Sequence, residues 1–111
     1  ALVTLNDPQF LEAARHLAKR IMKDGGKTQR ARVEYAYRLV TARMPKPLVA
    51  QILVGAFNEE LENYKQNTEA AGKLLTVGTT KRDESLNASE HAAWTIVASI
   101  ILNLDEVITR L

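Results

Sequence analysis

The side chains best suited to moving protons are His16, His91 and the adjacent carboxylates Asp83-Glu84 and Asp105-Glu106. Nucleophilic catalysis needs a nucleophile, a base and an orienting group within hydrogen-bond reach of one another. Ser99, His91 and Asp105 supply those types, but His91 and Ser99 fall two turns apart on one helical stretch, about 12 Å along its axis. Asp105 and Glu106 point about 100° apart on that helix, so they form no ready acid–base dyad. They are better placed to pair with Arg110 or with the basic residues of another helix. No catalytic constellation survives this test.

Cofactor chemistry fares no better. With no cysteine in 111 residues, disulfides and thiolate metal sites are excluded. His16 and His91 sit on different helices, and neither has a second ligand at i+3 or i+4, so nothing in the spacing asks for zinc. Met22 and Met44 read as core and corner fillers rather than haem ligands. Without a C-x-x-C-H run the segment cannot attach a c-type haem. Gly26-Lys27-Thr28 is the tail of a phosphate loop, but Ile21 stands where the first glycine belongs and a helix precedes it where a strand should. No cofactor is expected in this domain.

The net charge of +2 hides an asymmetry. Residues 1–46 hold ten Lys/Arg against four Asp/Glu, and residues 47–111 hold five against nine. Basic and acidic helices facing each other's edges within one fold would account for this. The basic set Arg15, Lys19, Lys27, Arg30, Arg32, Arg38 and Arg43 could also meet phosphates, but it lacks interleaved aromatics and a recognition-helix turn. Nucleic acid is therefore an unlikely partner on composition and pattern.

Helices must position all of these groups. Leu5-Asn6-Asp7-Pro8 starts the first, with Asp7 as cap and Pro8 at the first helical position. Phe10, Leu11, Ala14, Leu17, Ala18 and Ile21 form its apolar stripe, and Gly25-Gly26 ends it. Thr28 caps a second helix running to about Arg43, with Val33, Ala36, Tyr37 and Val40 inward and Leu39 flanking. Met44-Pro45-Lys46-Pro47 forces a corner. A third helix opens at Pro47 with Leu53, Phe57, Leu61 and Tyr64 as its stripe. Gly55 in its middle costs about 1 kcal/mol against Ala and suggests a close helix crossing. Thr68 caps a short helix through Leu75, ended by Gly78. Thr79 to Leu86 reads as a polar, mobile loop.

Asn87, with Glu90 three residues on, starts the last helix in the manner of a capping box. Trp94, Val97, Ile100, Ile101, Leu104, Val107, Ile108 and Leu111 share a wide apolar face. His91, Thr95, Ser99, Asn103, Glu106 and Arg110 fall in a narrower stripe opposite. The middle of that stripe is small and uncharged. It is either a plain solvent face or a surface that a neighbouring helix, domain or subunit covers.

Three stretches together resemble a known family: Leu5 to Arg20 (LNDPQFLEAARHLAKR), the Arg43-Met44-Pro45 corner, and Ala92 to Arg110 (AAWTIVASIILNLDEVITR). They are similar to the C-terminal domain of unknown function, family 1553 of the PSD type, found in large planctomycete proteins that often also carry a cytochrome-c-like domain. Lys46 departs from that pattern, where a threonine-type cap before the proline is usual. The resemblance implies a helical module at the end of an exported multidomain protein, in the periplasm or at the cell surface. Haem would belong to a separate domain of the parent. The family's genomic company hints at polysaccharide breakdown, by analogy alone.

The sequence thus predicts one all-α domain over residues 1–111: an antiparallel bundle of four main helices plus one short helix, with the C-terminal helix central. Its opening on Ala1-Leu2-Val3 without Met reads as a C-terminal fragment of a larger protein. The expected role is a non-catalytic interaction or structural module, docking other domains of the same protein or a protein partner. The docking surface would be the stripe of His91, Thr95, Ser99, Asn103, Glu106 and Arg110, or the basic surface of the first two helices. An accessory part of a hydrolase site, using Asp105, Glu106 or His91, is the alternative; a nucleic-acid-binding module is the second. No stretch is long enough to span a bilayer.

Overall fold

A computed structural model describes residues 7–110, with side chains placed through Asp105. The helix-start residues Leu5 and Asn6 and the ends of the last helix's two faces, from Glu106 on, therefore lie outside the described side chains. Five helices follow in order: α1 (Pro8–Asp24), α2 (Gln29–Thr41), α3 (Pro47–Gln66), α4 (Thr68–Leu75) and α5 (Ala88–Arg110). The described residues contain no strand. α5 packs against each of the other four, most extensively against α1 and α3, so the bundle is all-α with its C-terminal helix at the centre.

Local chemistry sets most of the boundaries. Asp7 accepts from the amides of Gln9 and Phe10, at 2.9 and 3.3 Å, and Pro8 takes the first helical position. Thr28 accepts from Ala31 N at 3.0 Å to cap α2. α2 stops at Thr41, two residues short of the expected end, because Ala42 turns left-handed at φ 60°. α3 starts at Pro47 as expected, and Lys46 contributes no side-chain cap. The cap of α4 is Asn67 rather than Thr68: its Oδ1 accepts from Ala70 N at 3.1 Å, and Thr68 is already helical. An amide oxygen one residue earlier reaches the free amide as well as a hydroxyl would. Asn87 Oδ1 accepts from Glu90 N at 3.0 Å at the start of α5.

The core collects Ala14, Ala18 and Ile21 of α1, Val33 and Ala36 of α2, Ala50, Leu53 and Phe57 of α3, and Ala93, Trp94, Val97, Ala98 and Ile101 of α5. Trp94 is fully buried, its ring 4.0 Å from that of Phe57 and nearly parallel to it. Arg32 ties three helices at this point. Its guanidinium lies 6.0 Å from the Trp94 ring centre while its Nε and Nη2 donate to Gly26 O and Met22 O at the end of α1. A cation over an aromatic face and at a helix C-terminus is favourable on both counts. A second, smaller cluster of Ala71, Leu75 and Ala92 seats α4 on the start of α5.

Two glycines behave oppositely. A Cβ on Gly25 would lie 2.5 Å from Ile21 O and 3.2 Å from Arg32 Cγ, so its absence allows α2 to close on the end of α1. A Cβ on Gly55 would meet nothing within 4 Å, and the residue is exposed. The expected crossing at Gly55 is therefore absent within the described fold. Chemical denaturation should show Gly55→Ala stabilising the fold by about 1 kcal/mol and Gly25→Ala destabilising it by about 1–3 kcal/mol. Trp94→Ala, which empties the centre of the core, should cost about 3–5 kcal/mol in the same assay.

Candidate functional site

The polar stripe of α5 is buried from His91 to Ser99. His91 is 1% exposed, Thr95 0% and Ser99 4%, while Asn103 is half-buried. Glu106 and Arg110 lie outside the described side chains. The residues are small enough to lie against a neighbouring helix, and α1 offers Ala14 and Ala18 from its own buried face. The two hydroxyls are satisfied locally: Thr95 Oγ1 donates to His91 O at 2.7 Å and Ser99 Oγ to Ile96 O at 2.6 Å. The stripe is thus closed by its own chain and offers no open docking surface there.

His91 joins the two helices. Its Nε2 lies 3.1 Å from Arg15 O; a carbonyl only accepts, so Nε2 carries the proton and Nδ1 does not. Burial, partly offset by that bond, holds the imidazole below its ordinary pKa of 6.5, with Arg82 and Arg15 pushing the same way. His91 Nδ1, Arg15 Nε and Trp94 Nε1 are buried with no hydrogen-bond partner among the described residues.

The polar loop after α4 is fastened to α1 rather than loose. Glu12 accepts from the amides of Thr79 and Thr80 at 3.1 and 2.6 Å. Arg15 Nη2 donates to Thr80 O. Lys19 and Lys23 meet Asp83 at 3.4 and 2.8 Å. Gly78 makes the approach possible: it has φ +100°, and a Cβ there would lie 2.6 Å from Glu12 Cδ. Hydrogen bonds from Thr80, first its side chain and then its amide, pull Glu12 down to about 2. Lys23 and then Ser85 hold Asp83 well below the usual carboxylate range. Both are anions at neutral pH, fit for holding the loop and unfit for donating protons. Among the described residues no three His, Asp or Glu side chains gather to hold a metal ion, and no helix is long and apolar enough to cross a membrane.

The basic set is dispersed by the same contacts. Arg15 is 2% exposed, Lys19 is on Asp83, Arg30 is on Glu34 at 3.0 Å, and Arg32 is on α1 carbonyls. Lys27, Arg38 and Arg43 remain exposed. Two of these three flank the surface that sequence reasoning missed. Around the α2–α3 corner, Leu39, Met44, Leu48 and Ile52 are 42, 58, 66 and 60% exposed. Tyr35, Arg38, Leu39 and Ala42 line a shallow groove on the α2 side. Lys46 stands between, exposed like its basic neighbours. The signal was available: at 100° per residue, Leu48 and Ile52 fall opposite Leu53 and Phe57 on α3.

Stability should fall with acid in two stages. His91 is disfavoured as a cation in the fold, so the unfolded chain takes up its proton first. The contribution of His91 is complete above pH 6.5 and is lost as pH drops below that value. Glu12 and Asp83 are favoured as anions, so their contribution is lost below their ordinary values of 4.5 and 3.8. Denaturation at stepped pH should show both stages, and His91→Gln should abolish the first while keeping the second. An unchanged first stage in that variant would assign it to another group.

A family model described as "Protein of unknown function (DUF1553)" matches residues 1–56, from the N-terminus through the first half of α3. The Ala92 to Arg110 block lies beyond the matched segment. No curated protein and no solved structure matches the chain. The match takes in 56 of 111 residues, including the caps of α1 and α2 and the whole α2–α3 corner, and the chain belongs to this family of proteins of unknown function.

Proposed function

We propose that this chain is a non-catalytic helical interaction module, and that it docks another protein surface through the α2–α3 corner. One observation carries the reading. Four large apolar side chains, Leu39, Met44, Leu48 and Ile52, stand 42–66% exposed beside Arg38, Arg43 and Lys46. No Asp or Glu occurs between residues 35 and 58. Large apolar side chains left exposed near one another in the chain and bordered by cations mark a candidate interaction site. His91, Thr95 and Ser99, the part of the α5 stripe nearest its start, are buried inside the fold.

The family resemblance supplies the setting. It supports a place at the end of an exported, planctomycete-type multidomain protein, in the periplasm or at the cell surface, with haem confined to a separate cytochrome-like domain. The partners are then other domains of that protein or another chain. The hydrolase alternative loses His91 to burial, and the nucleic-acid alternative loses Arg15 and Arg32 to partners within the fold.

Cross-linking of the parent protein through its lysines tests this directly. Lys46 should link outside its own domain, to another domain or another copy. Leu48→Glu with Ile52→Glu should reduce those links about tenfold, equivalent to ~1.4 kcal/mol. Links from Lys46 that stay within the domain would overturn the reading.

A further inference from the structure

The outer face of α3 is ordered along its length. At helical spacing Leu48, Ile52, Gly55, Glu59 and Glu62 share the side opposite Leu53 and Phe57, and all five are exposed. Reading from the corner, the face runs from cations (Arg43, Lys46) through apolar side chains (Leu48, Ile52) and bare backbone (Gly55) to anions (Glu59, Glu62). Among the described residues, Arg43, Lys46, Glu59 and Glu62 form no ion pair. Glu62 accepts only from the neutral Gln66, at 3.1 Å.

Such a face is complementary to itself when reversed. We propose that its occupant is a second copy of this chain, with the two α3 helices antiparallel about a two-fold axis beside Gly55. In a two-fold contact each residue meets the partner's counterpart and is met by it in return. Lys46 lies nine residues before Gly55 and Glu62 seven after it, about 13.5 and 10.5 Å along the axis. One axis beside Gly55 therefore sets each Lys46 level with the partner's Glu62, within a side chain's reach, while Leu48 and Ile52 flank the crossing. A parallel pair would instead stack like charges. The missing side chain at Gly55, with nothing within 4 Å of a built Cβ, lets two backbones approach closely. The crossing that Gly55 suggests in the sequence thus lies between copies.

This rests on the corner being an interaction surface, and the two ideas can fail separately. Sedimentation equilibrium of the 111-residue chain at low salt should show its mass rising from one chain to two with concentration. Ile52→Glu should weaken the dimer about tenfold, ~1.4 kcal/mol, without changing the helical spectrum or the melting temperature appreciably. Lys46→Glu should weaken it, and adding Glu59→Lys and Glu62→Lys should restore it. Added salt should weaken the wild-type dimer. A chain that stays single throughout would overturn the second-copy proposal, as would a dimer indifferent to Ile52→Glu and to the charge exchange. If Lys46 still links to other domains of the parent, the interaction reading stands without the dimer; if it does not, both fall.

Discussion

The structure depends on enclosing α5 from two sides at once. On one side Trp94 lies flat on Phe57, with Val97 and Ile101 beside it. On the other, Thr95, Ser99 and a neutral His91 are buried, with His91 bonded to Arg15 O of α1, a helix that also buries the small Ala14 and Ala18. Neither side works alone. A wide apolar face demands burial at roughly 25 cal/mol per Å², but a second buried face is tolerable only if its polar atoms are satisfied. Hydroxyls that bond back to carbonyls of their own helix meet that condition, and the imidazole meets it at Nε2, which gives its proton to Arg15 O.

The charge asymmetry follows from the same arrangement. Once α1 closes over α5, its outward edge must hold the chain that crosses from α4 to α5. Glu12, Arg15, Lys19 and Lys23 do so, spaced along one side of the helix at intervals of three or four residues, taking up Thr79, Thr80 and Asp83. Much of the N-terminal basic excess is thereby absorbed within the fold. Of what stays exposed, Arg38, Arg43 and Lys46 lie at the α2–α3 corner, beside apolar side chains that the core does not need, while Arg20 and Lys27 lie on and after α1.

How much of this was legible depended on whether the deciding interaction was local. The starts of α1, α2, α3 and α5 were readable because caps and prolines act within three or four residues. The stripes of α1 and α3 were readable because burial follows helical period. Asn67 displaced Thr68 as a cap because two adjacent residues offered the same chemistry and only the chain's path chose between them. The loop at Thr79–Leu86 looked mobile because its anchors, Glu12 and Lys23, lie some sixty or more residues away. The stripe of His91, Thr95 and Ser99 was recognised as unusual, but nothing local says that α1, and not a partner, covers it. The exposed corner is visible on the helical wheel of α3, where Leu48 and Ile52 fall opposite Leu53 and Phe57, but the wheel alone does not say which of two apolar sides is buried.

Docking at the α2–α3 corner, as proposed, goes with the burial of His91, Thr95 and Ser99 of α5 within their own chain. Amide hydrogen exchange in dilute protein measures that burial. The amides of His91 to Ile101 should be the slowest in the chain and should exchange only through global unfolding. Fast exchange there, through local opening of α5 away from α1, would mean that the stripe waits for an outside partner after all.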